Sequence, residues 1–597
     1  ALLAGGDSSE PAAEGRAPGG AIGAAVPLAA PGTVHQALHA RAQAEPARPH
    51  VFLREDDGSE QVVTYGRLLA ESAAVAGGLR ARGVRRGDTV ALMLPTGLDF
   101  LRAFQGILIA GAVPVPIYPP LRLDRLEEYA ARQGAILANA EARLLITVER
   151  ARAIAALLRP GVPSLKHVVT AGDLAEAGAP PPAVEGQGSD PAFIQYTSGS
   201  TGAPKGVLLT HDNLLANIRA ITAGLRAEPT DVGVSWLPLY HDMGLIGSWL
   251  FCLVNGLPLD LQSPLAFLSR PERWLWAIHR RRATLSPAPN FAYELCVRRI
   301  DDKAIEGLDL SSWRCALNGA EPVSPETLER FVRRFGRYGF RREALMPVYG
   351  LAESSVALAM PPPGRGPRVV RVEREPFARD GRAVASTSAS ALAFVSVGAA
   401  LPEHEVRVVD DGGADRGEGQ VGRLVFRGPS SMAGYHRQPA ATAAITLPGR
   451  WLDSGDLAFS LDGELFIAGR GKDIVIKAGR NLVPQEIEEV AAGVEGVRRG
   501  CVVAIGVTSP GLGTESLVVV AETRARETAA RDRIAAAITE RVAAAIGVPP
   551  DQVALVPPGA VPKTSSGKIR RVATRELYVS GALGHRPRAR PLARARL

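Results

Sequence analysis

The feature that most constrains the fold is a repeated change between helix-length stretches and short apolar runs. The stretch VTYGRLLAESAAVAGGLRARGV at 63–84 has the apolar spacing of a helix, and the short run DTVALML follows at 88–94. Such alternation predicts α/β layers in which the strands are mainly parallel. At 597 residues the chain is longer than one hydrophobic core usually serves, so we expect more than one domain.

Changes in composition along the chain predict the domain boundaries. Residues 1–32 are mostly Ala, Gly and Pro, which predicts a flexible leader. A large domain is expected over 33–471, with two α/β subdomains and, between about 395 and 470, a small β-barrel-like subdomain built from runs such as HEVRVVD, VGRLVFRG and GELFIAGR. A compact α+β pattern resumes at Lys472 and predicts a small, mobile C-terminal domain over 472–583.

The charge of the chain gives little support for a nucleic-acid partner. Five arginines stand in the tail at 584–597, which leaves +3 of the formal net charge of +8 for the rest of the chain. A short Arg, Pro and Ala tail without aromatic residues is typical of a solvated end, so we expect no nucleic-acid binding.

Cysteine usage and hydropathy favour a cytoplasmic protein without a membrane span. The four cysteines are far apart in sequence and form no CxxC pair, which predicts reduced core residues and no zinc site. The longest uncharged runs either contain several prolines, as at 103–121, or are too short to cross a bilayer, as at 243–259.

The loop YTSGSTGAPKG at 196–206 has the small residues that allow backbone N–H groups to surround an anion such as phosphate. It is not a P-loop, because Pro204 stands where that motif needs Gly, and Gly206 stands where it needs Ser or Thr. An ordinary Gly/Ser turn is the alternative for the string by itself.

Six further motifs decide between these alternatives. They are LPLYHDMGLIG (237–247), NGAEPV (318–323), YGLAESS (349–355), WLDSGDLAF (451–459), GRGKD (469–473) and PKTSSGKIRR (562–571). In this order they resemble the core motifs of the adenylate-forming superfamily, which includes acyl-CoA synthetases, peptide-synthetase adenylation domains and luciferases. The resemblance covers about 33–580. It implies that a carboxylate attacks the α-phosphate of ATP to give an acyl-adenylate, from which a thiol then takes the acyl group.

The resemblance also implies roles for individual residues. The phosphate loop would comprise Thr197, Ser198, Gly199, Ser200, Thr201, Gly202 and Lys205. Adenine would be covered by Gly319, Ala320, Glu321, Tyr349 and Gly350, and the ribose would be bound by Asp456 and Arg470. Mg²⁺ would be held by Glu353, with a possible hydroxyl from Thr201. Lys568 would be the catalytic lysine, His241 the aromatic gate between the nucleotide and acyl pockets, and Lys472 the hinge. Taken singly, Glu353, Arg470 and Lys568 would be ordinary exposed charged residues.

Several strings resemble one branch of the superfamily, the fatty acyl-AMP ligases. These include YHDMGLIG, AGAVPVPIYPP (110–120) and GRNLVPQEIE (479–488). In amino-acid-activating relatives an aspartate at the position of Asp242 would bind the substrate ammonium, so the role of this residue is ambiguous. There are 45 residues from Glu353 to Gly398, about twice what we expect in acyl-CoA synthetases. The extra segment at about 370–394 lies where fatty acyl-AMP ligases carry an insertion that restrains the small domain; a tolerated surface loop is the alternative.

The branch implies a fatty acid substrate and an acyl carrier protein as acceptor, often beside a polyketide or peptide synthase. Two alternatives stay open: a long- or medium-chain acyl-CoA synthetase on the same fold, and a nucleotide-binding module that docks a carrier without catalysis. The chain does not begin with Met, so a stand-alone enzyme and a domain of a larger synthase are both compatible with the sequence.

Overall fold

The computed structural model describes residues 24–55, 57–119, 126–156, 158–177, 185–197, 204–388, 391–477, 480–508, 515–564 and 568–584. Five predicted members of the phosphate loop lie outside these ranges: Ser198, Gly199, Ser200, Thr201 and Gly202. Most of the predicted leader and nearly all of the predicted basic tail also lie outside them.

The largest sheet has seven strands and is mainly parallel, as the alternating texture predicts. Its order across the sheet is Leu345–Pro347, Cys315–Asn318, Leu285–Ala288, Gly233–Ser235, Leu259–Gln262, Pro49–Arg54 and Glu60–Thr64. Every neighbouring pair is parallel except the last, which is antiparallel. The residues of its inner strands are almost all buried, because helices cover both faces of a parallel sheet. The carboxyl ends of the parallel strands therefore meet along one edge of the sheet.

Two smaller sheets complete the α/β part of the chain. The first is parallel, in the order Val113–Pro116, Thr89–Met93, Leu144–Thr147 and His167–Thr170. The second is antiparallel, in the order Gly434–Tyr435, Lys205–Thr210 and Pro191–Thr197. In the second sheet Thr197 is directly opposite Lys205, so the predicted phosphate loop connects two paired strands.

The helices of this part carry the apolar residues that the sheets bury. They are Val34–Ala44, Tyr65–Ala81, Leu98–Ile109, Leu126–Asn139, Arg152–Ala156, Ala171–Ala175, His211–Leu225, Asp242–Gly244, Phe251–Asn255, Pro264–Ser269, Glu272–Arg281, Asn290–Arg299 and Pro325–Phe335. A π-helical segment, Leu245–Leu250, joins two of them. Among the residues that the structure describes, no helix is both long and apolar enough to cross a membrane.

The predicted β-rich region forms an antiparallel sheet. Its strands are Glu405–Val409, Gly422–Arg427, Trp451–Leu461, Thr446–Leu447 and Glu464–Arg470. A short helix, Pro439–Ala443, precedes the strand Thr446–Leu447, and Ala359–Met360 pairs with Ala399–Ala400.

The extra segment contributes a hairpin and a helix on the side of this sheet. The hairpin pairs Val369–Val372 with Leu392–Val395, and the helix Arg374–Asp380 lies between its strands in sequence. Phe377 packs against Phe394 and Phe459, with ring centroids 4.8 and 6.0 Å away, so the segment is anchored by an aromatic cluster.

The chain after Lys472 forms a compact unit with its own apolar clusters. A hairpin of Val475–Lys477 and Arg480–Leu482 is followed by a sheet of Val497–Thr508, Glu515–Thr523 and Gln552–Val556. The helices are Pro484–Ala492, Thr528–Ile546 and Arg571–Val579. Buried side chains such as Val519 and Ile538 make a core within this unit.

Candidate active site

A single cleft of about 2730 Å³ collects most of the predicted site residues. Its walls come from the large α/β part, from the β-rich sheet and from the unit after Lys472. Of the described site residues, those lining it are Thr197, Lys205, His241, Ala320, Glu321, Tyr349, Gly350, Glu353, Asp456, Arg470, Lys472 and Lys568.

Asp456, Arg470 and Tyr349 form a hydrogen-bonded cluster on one wall. Asp456 and Arg470 face each other on paired strands, and Arg470 Nε lies 3.2 Å from Asp456 Oδ1. The Tyr349 hydroxyl donates to Asp456 Oδ2 over 2.6 Å. Burial raises the pKa of Asp456, and the charge of Arg470 opposes that rise. The carboxylate is thus fixed in orientation and is suited to accept hydrogen bonds from a diol.

The stretches around Gly319 and Gly350 bring backbone against backbone. A Cβ atom on Gly350 would lie 1.8 Å from the Val356 carbonyl oxygen, and one on Gly319 would lie 2.9 Å from the Val348 oxygen. Ala320 has φ of 68°, a left-handed conformation that a non-glycine residue rarely adopts. A side chain at Gly319 or Gly350 would therefore collide with the neighbouring segment of the chain.

Glu321 follows this turn and is held by the backbone. Its Oε1 accepts the N–H of Phe291 over 2.5 Å. Burial raises the pKa of Glu321, while the charges of Lys568 and Lys563 lower it. The charge of Lys568, which belongs to the small unit, therefore acts on the carboxylate of Glu321 in the large part.

Glu353 is oriented by Tyr435, a residue that the motifs did not indicate. The Tyr435 hydroxyl donates to Glu353 Oε1 over 2.7 Å, and Lys205 Nζ lies 4.7 Å from the centre of the Tyr435 ring. Tyr435 reaches this position because its short strand pairs with Lys205–Thr210. The sequence signal for it is weak, since it is an isolated Gly-Tyr pair more than 80 residues beyond Glu353.

The surroundings of Glu353 fit a magnesium ion bound together with phosphate. Mg²⁺ is usually held by one or two carboxylates and by phosphate oxygens, and it keeps several waters. Glu353 supplies one oriented carboxylate, and its main-chain oxygen is already bonded to the N–H of Met432 at 2.8 Å. Within the described ranges, no group of three or more His, Cys, Asp and Glu could hold a metal ion. The carboxylate alone therefore fits an ion that arrives with its phosphate ligands.

His241 and Asp242 line the cleft together with Leu237 and Met243, which are close to them in sequence. Burial lowers the pKa of His241 to about 3, and the charges of Lys568 and Arg132 add to this effect. The imidazole is therefore neutral at physiological pH. Burial raises the pKa of Asp242, and Lys568 opposes the rise. Asp242 Oδ1 also accepts the N–H of Met243 over 2.8 Å, within the short helix Asp242–Gly244.

Lys568 is presented by a turn at the edge of the small unit. Its N–H donates to Thr564 Oγ1 over 3.0 Å, and its carbonyl accepts the N–H of Thr564 over 2.7 Å. The lysine is exposed and lines the same cleft as Glu321. Three groups of the large part, His241, Asp242 and Glu321, have a pKa that its charge lowers.

A buried charge cluster fixes the segment after the predicted hinge. Arg571 lies 3.1 Å from Asp473 Oδ2 and 2.6 Å from Glu488 Oε2. Lys472 precedes this cluster, and Gly471 N–H donates to the Gly455 carbonyl over 3.1 Å. Gly471 is therefore bonded to the large part, whereas Asp473 is paired with the small unit.

The chain has the fold of adenylate-forming enzymes, with a large N-terminal domain and a small C-terminal domain, so the predicted fold class is confirmed. It belongs to the family of AMP-binding enzymes, which it matches over residues 38–436, and it is an adenylate-forming ligase. The predicted resemblance is therefore confirmed.

Two relatives and one solved structure illustrate the likeness. A Caulobacter vibrioides protein named as an acyl-CoA synthetase is 37% identical over 564 residues, covering 92% of this chain and 96% of that protein. Medium-chain-fatty-acid–[acyl-carrier-protein] ligase JamA of Moorena producens is 34% identical over 577 residues, covering 92% and 96%. A structure from a study of fatty acyl-adenylate ligases from E. coli and L. pneumophila has a TM-score of 0.86 at 34% identity, covering 92% and 98%.

Proposed function

We propose that the protein activates a fatty acid with ATP to form acyl-AMP and pyrophosphate, and then passes the acyl group to the phosphopantetheine thiol of an acyl carrier protein. The observation that carries the proposal is the single cleft in which Asp456, Glu353 and Lys568 come from three parts of the chain. A diol acceptor, a magnesium-type carboxylate and a mobile cation are the groups that adenylation requires.

In the first step the substrate carboxylate is itself the nucleophile. One of its oxygens forms a bond to the α-phosphorus of ATP, and the bond from that phosphorus to the bridging oxygen of the leaving pyrophosphate breaks. No side chain has to form a covalent bond, so catalysis consists of alignment and neutralisation of charge. In this proposal Asp456 and Arg470 hold the ribose and Lys205 holds the terminal phosphates. Lys568 neutralises the oxygens on the reacting phosphorus.

The remaining site residues fit the same assignment. Gly319, Ala320 and Gly350 give adenine a close-fitting wall. His241 stays neutral and separates the nucleotide from the acyl pocket. Glu353 would hold Mg²⁺, whose charge neutralises the phosphates when the ion is bound. Tyr435 keeps the Glu353 carboxylate in place.

In the second step a thiolate attacks the carbonyl carbon of the acyl-adenylate, and the bond from that carbon to the AMP oxygen breaks. The small domain has to move so that the thiol can enter, and Lys472 is the proposed hinge. This role agrees with its position at the change between the two domains.

The contacts of the insertion favour a carrier protein over free CoA. Arg374 of the insertion lies 2.5 Å from Glu486 of the small domain, and Val483 packs on the aromatic cluster that includes Phe377. A small domain held in this way opens less readily for a small diffusing thiol. The name of the relative JamA, a [acyl-carrier-protein] ligase, supports the same acceptor.

An acyl-CoA synthetase is the second candidate, because the Caulobacter vibrioides relative carries that name. To separate the two, the protein is incubated with ATP, Mg²⁺ and labelled dodecanoate, and then CoA or a phosphopantetheinylated carrier protein is added. The expected result is acyl-AMP that persists with CoA and is consumed by the carrier. Efficient formation of acyl-CoA would instead assign the chain to the synthetases.

The same assay tests the third alternative, a nucleotide-binding module that docks a carrier protein without catalysis. Such a module would form no acyl-AMP with any acid. The variant Lys568→Ala serves as the catalytically impaired control, because Lys568 is exposed and its replacement leaves the packing of the small domain intact.

A further inference from the structure

We propose that the apolar end of the cleft is a closed tunnel that selects medium-chain acids of about ten to twelve carbons, with Gly233 and Cys252 as its floor. The inference rests on the proposed function, because it concerns the acid that this site activates. It goes further by assigning a chain length and the residues that limit it.

One wall of the tunnel is the continuous helical stretch from Asp242 to Asn255, which includes the π-helical segment Leu245–Leu250. The residues of this stretch that line the cleft include Met243, Gly247 and Cys252, which recur at intervals of four and five. They therefore lie along one side of the helix. Met243 and Gly247 are partly accessible, whereas Cys252 is only 2% exposed. The space thus narrows and closes along the helix.

The opposite wall is the central strand of the large sheet and the residues that follow it. Leu237 lines the cleft near His241, and Gly233 lines it at the amino-terminal end of the strand. In the sheet Gly233 is paired with both Leu259 and Leu285, which also line the cleft. The far end of the tunnel therefore lies at the amino-terminal edge of the sheet.

The two walls touch at this end. A Cβ atom on Gly233 would lie only 2.9 Å from Cys252 Sγ, so the strand and the helix are in contact here. Ile221 and Leu225 of the helix His211–Leu225 complete the lining of this end. Beyond the floor, Asp231 is bonded to Arg314 at 2.5 Å and accepts the Thr284 hydroxyl at 2.7 Å. The methyl end of an acyl chain would gain no free energy by displacing this ion pair, whose groups are already paired.

Both walls give a similar length for the tunnel. The four residues from Leu237 to Gly233 span about 13 Å at the rise of a strand. The nine residues from Met243 to Cys252 span about 14 Å at the rise of a helix. An extended chain advances by about 1.2 Å per bond, as the fully extended backbone shows. The tunnel therefore holds about eleven bonds of an extended acyl chain.

Cys252 suits a floor that contacts only hydrocarbon. Burial raises the pKa of its thiol, so the group stays uncharged and acts as a small apolar side chain. A larger residue at this position would shorten the tunnel. Gly247 is halfway along the helical wall, and a Cβ atom there would meet only Met243 at 3.8 Å and Val356 at 3.9 Å. A side chain at position 247 therefore has room to extend into the tunnel.

The test measures ATP–pyrophosphate exchange with saturated acids of six to sixteen carbons, each below its micellar concentration. We expect kcat/KM to rise by up to about fourfold per methylene group to an optimum at ten to twelve carbons, and to fall at least tenfold by sixteen. Equal activity with twelve and sixteen carbons would overturn the tunnel length while leaving adenylation intact. Absence of exchange with every acid would overturn the proposed function and this inference with it.

Two variants test the residues themselves. Gly247→Leu is expected to reduce activity with dodecanoate at least tenfold and to retain activity with hexanoate. Cys252→Met is expected to move the optimum to acids about two carbons shorter. The matched control is Cys296→Met, which enlarges a buried thiol outside the cleft.

The readout is the ratio of kcat/KM for dodecanoate to that for hexanoate within one preparation, because partial unfolding lowers both values together. We expect Cys296→Met to leave this ratio unchanged. A wild-type ratio in both Gly247→Leu and Cys252→Met would refute the assignment of the tunnel walls.

Discussion

The ion pair between Arg374 and Glu486 joins the insertion to the small domain, and its removal tests how that domain is held. Arg374 begins the helix Arg374–Asp380, and Glu486 lies in the first turn of Pro484–Ala492. Their charged atoms are 2.5 Å apart, and each side chain is 22% exposed. Burial raises the pKa of Glu486, and the charge of Arg374 lowers it. The ionised form of Glu486 in the docked domain thus depends on Arg374.

The burial of the pair sets the expected size of the effect. Exposed ion pairs contribute about 0.2–1 kcal/mol, and breaking a fully buried pair costs about 3–5 kcal/mol. For this partly buried pair we expect Arg374→Ala to weaken docking by about 1–2 kcal/mol. A free energy of 1.4 kcal/mol corresponds to a factor of about ten, so the undocked population should rise about 5- to 30-fold.

Single-turnover consumption of preformed acyl-AMP by CoA measures this population, because the thiol enters only when the small domain has moved. We expect the rate to rise about tenfold in Arg374→Ala and in Glu486→Ala. The double variant Arg374→Glu with Glu486→Arg should return towards the wild-type rate. Arg407→Ala is the control, since it removes an ion pair with Asp415 inside the β-rich sheet. Unchanged rates in both single variants would refute the proposed restraint.

Three further predictions concern single residues. Lys568→Ala should slow acyl-AMP formation about 10²- to 10³-fold without lowering Tm. Lys303→Ala is the control. A wild-type rate of acyl-AMP formation in Lys568→Ala would refute the catalytic role of Lys568. Asp456→Asn should raise KM for ATP about 10- to 100-fold, because hydrogen bonds to a charged group contribute about 1.5–3 kcal/mol; an unchanged KM in initial-rate assays would contradict the ribose contact. Glu489 is exposed to the cleft, where desolvation and the nearby charge of Glu326 raise its pKa to about 7, so the stability of the folded state falls as pH rises from about 4.5 through 7. Glu489→Gln should therefore have a higher Tm than the wild type at pH 8 and a similar Tm at pH 5. The same difference in Tm between variant and wild type at both pH values would exclude the ionisation of Glu489 as its cause.

The site residues that the sequence proposes are those that belong to contiguous motifs. Asp456, Glu353 and Lys568 each stand in a short string with a recognisable pattern, and the structure brings them to one cleft. Tyr435 stands in no such string. Its bond to Glu353 exists only because the strand Gly434–Tyr435 adds to the edge of another sheet, a pairing between distant segments that local patterns do not encode.

The fold was predictable to a similar degree. Alternating helical and apolar runs indicated parallel sheets, because a strand buried on both faces needs apolar residues at nearly every position. The order of strands in the large sheet does not follow the chain, since Pro49–Arg54 pairs with Leu259–Gln262. The π-helical segment Leu245–Leu250 was also not predictable, because its residues equally suit an ordinary α-helix.

The contacts between the two domains concern how one cleft would serve the two proposed steps. The two apolar clusters within the small domain contain only residues from Val475 onwards; among the described residues, Val483 alone joins a cluster of the large domain. Two ion pairs also join the domains: Arg374 with Glu486, and Arg499 with Glu294 at 3.8 Å.

An apolar interface would hold the domain more tightly as its area grew, at about 25 cal/mol per Å². Ion pairs behave differently, because the cost of desolvation offsets much of their attraction. Like charges at Glu489 and Glu326 weaken the contact further. In the proposed mechanism, a domain held by these contacts places Lys568 in the cleft for adenylation and is then withdrawn for transfer.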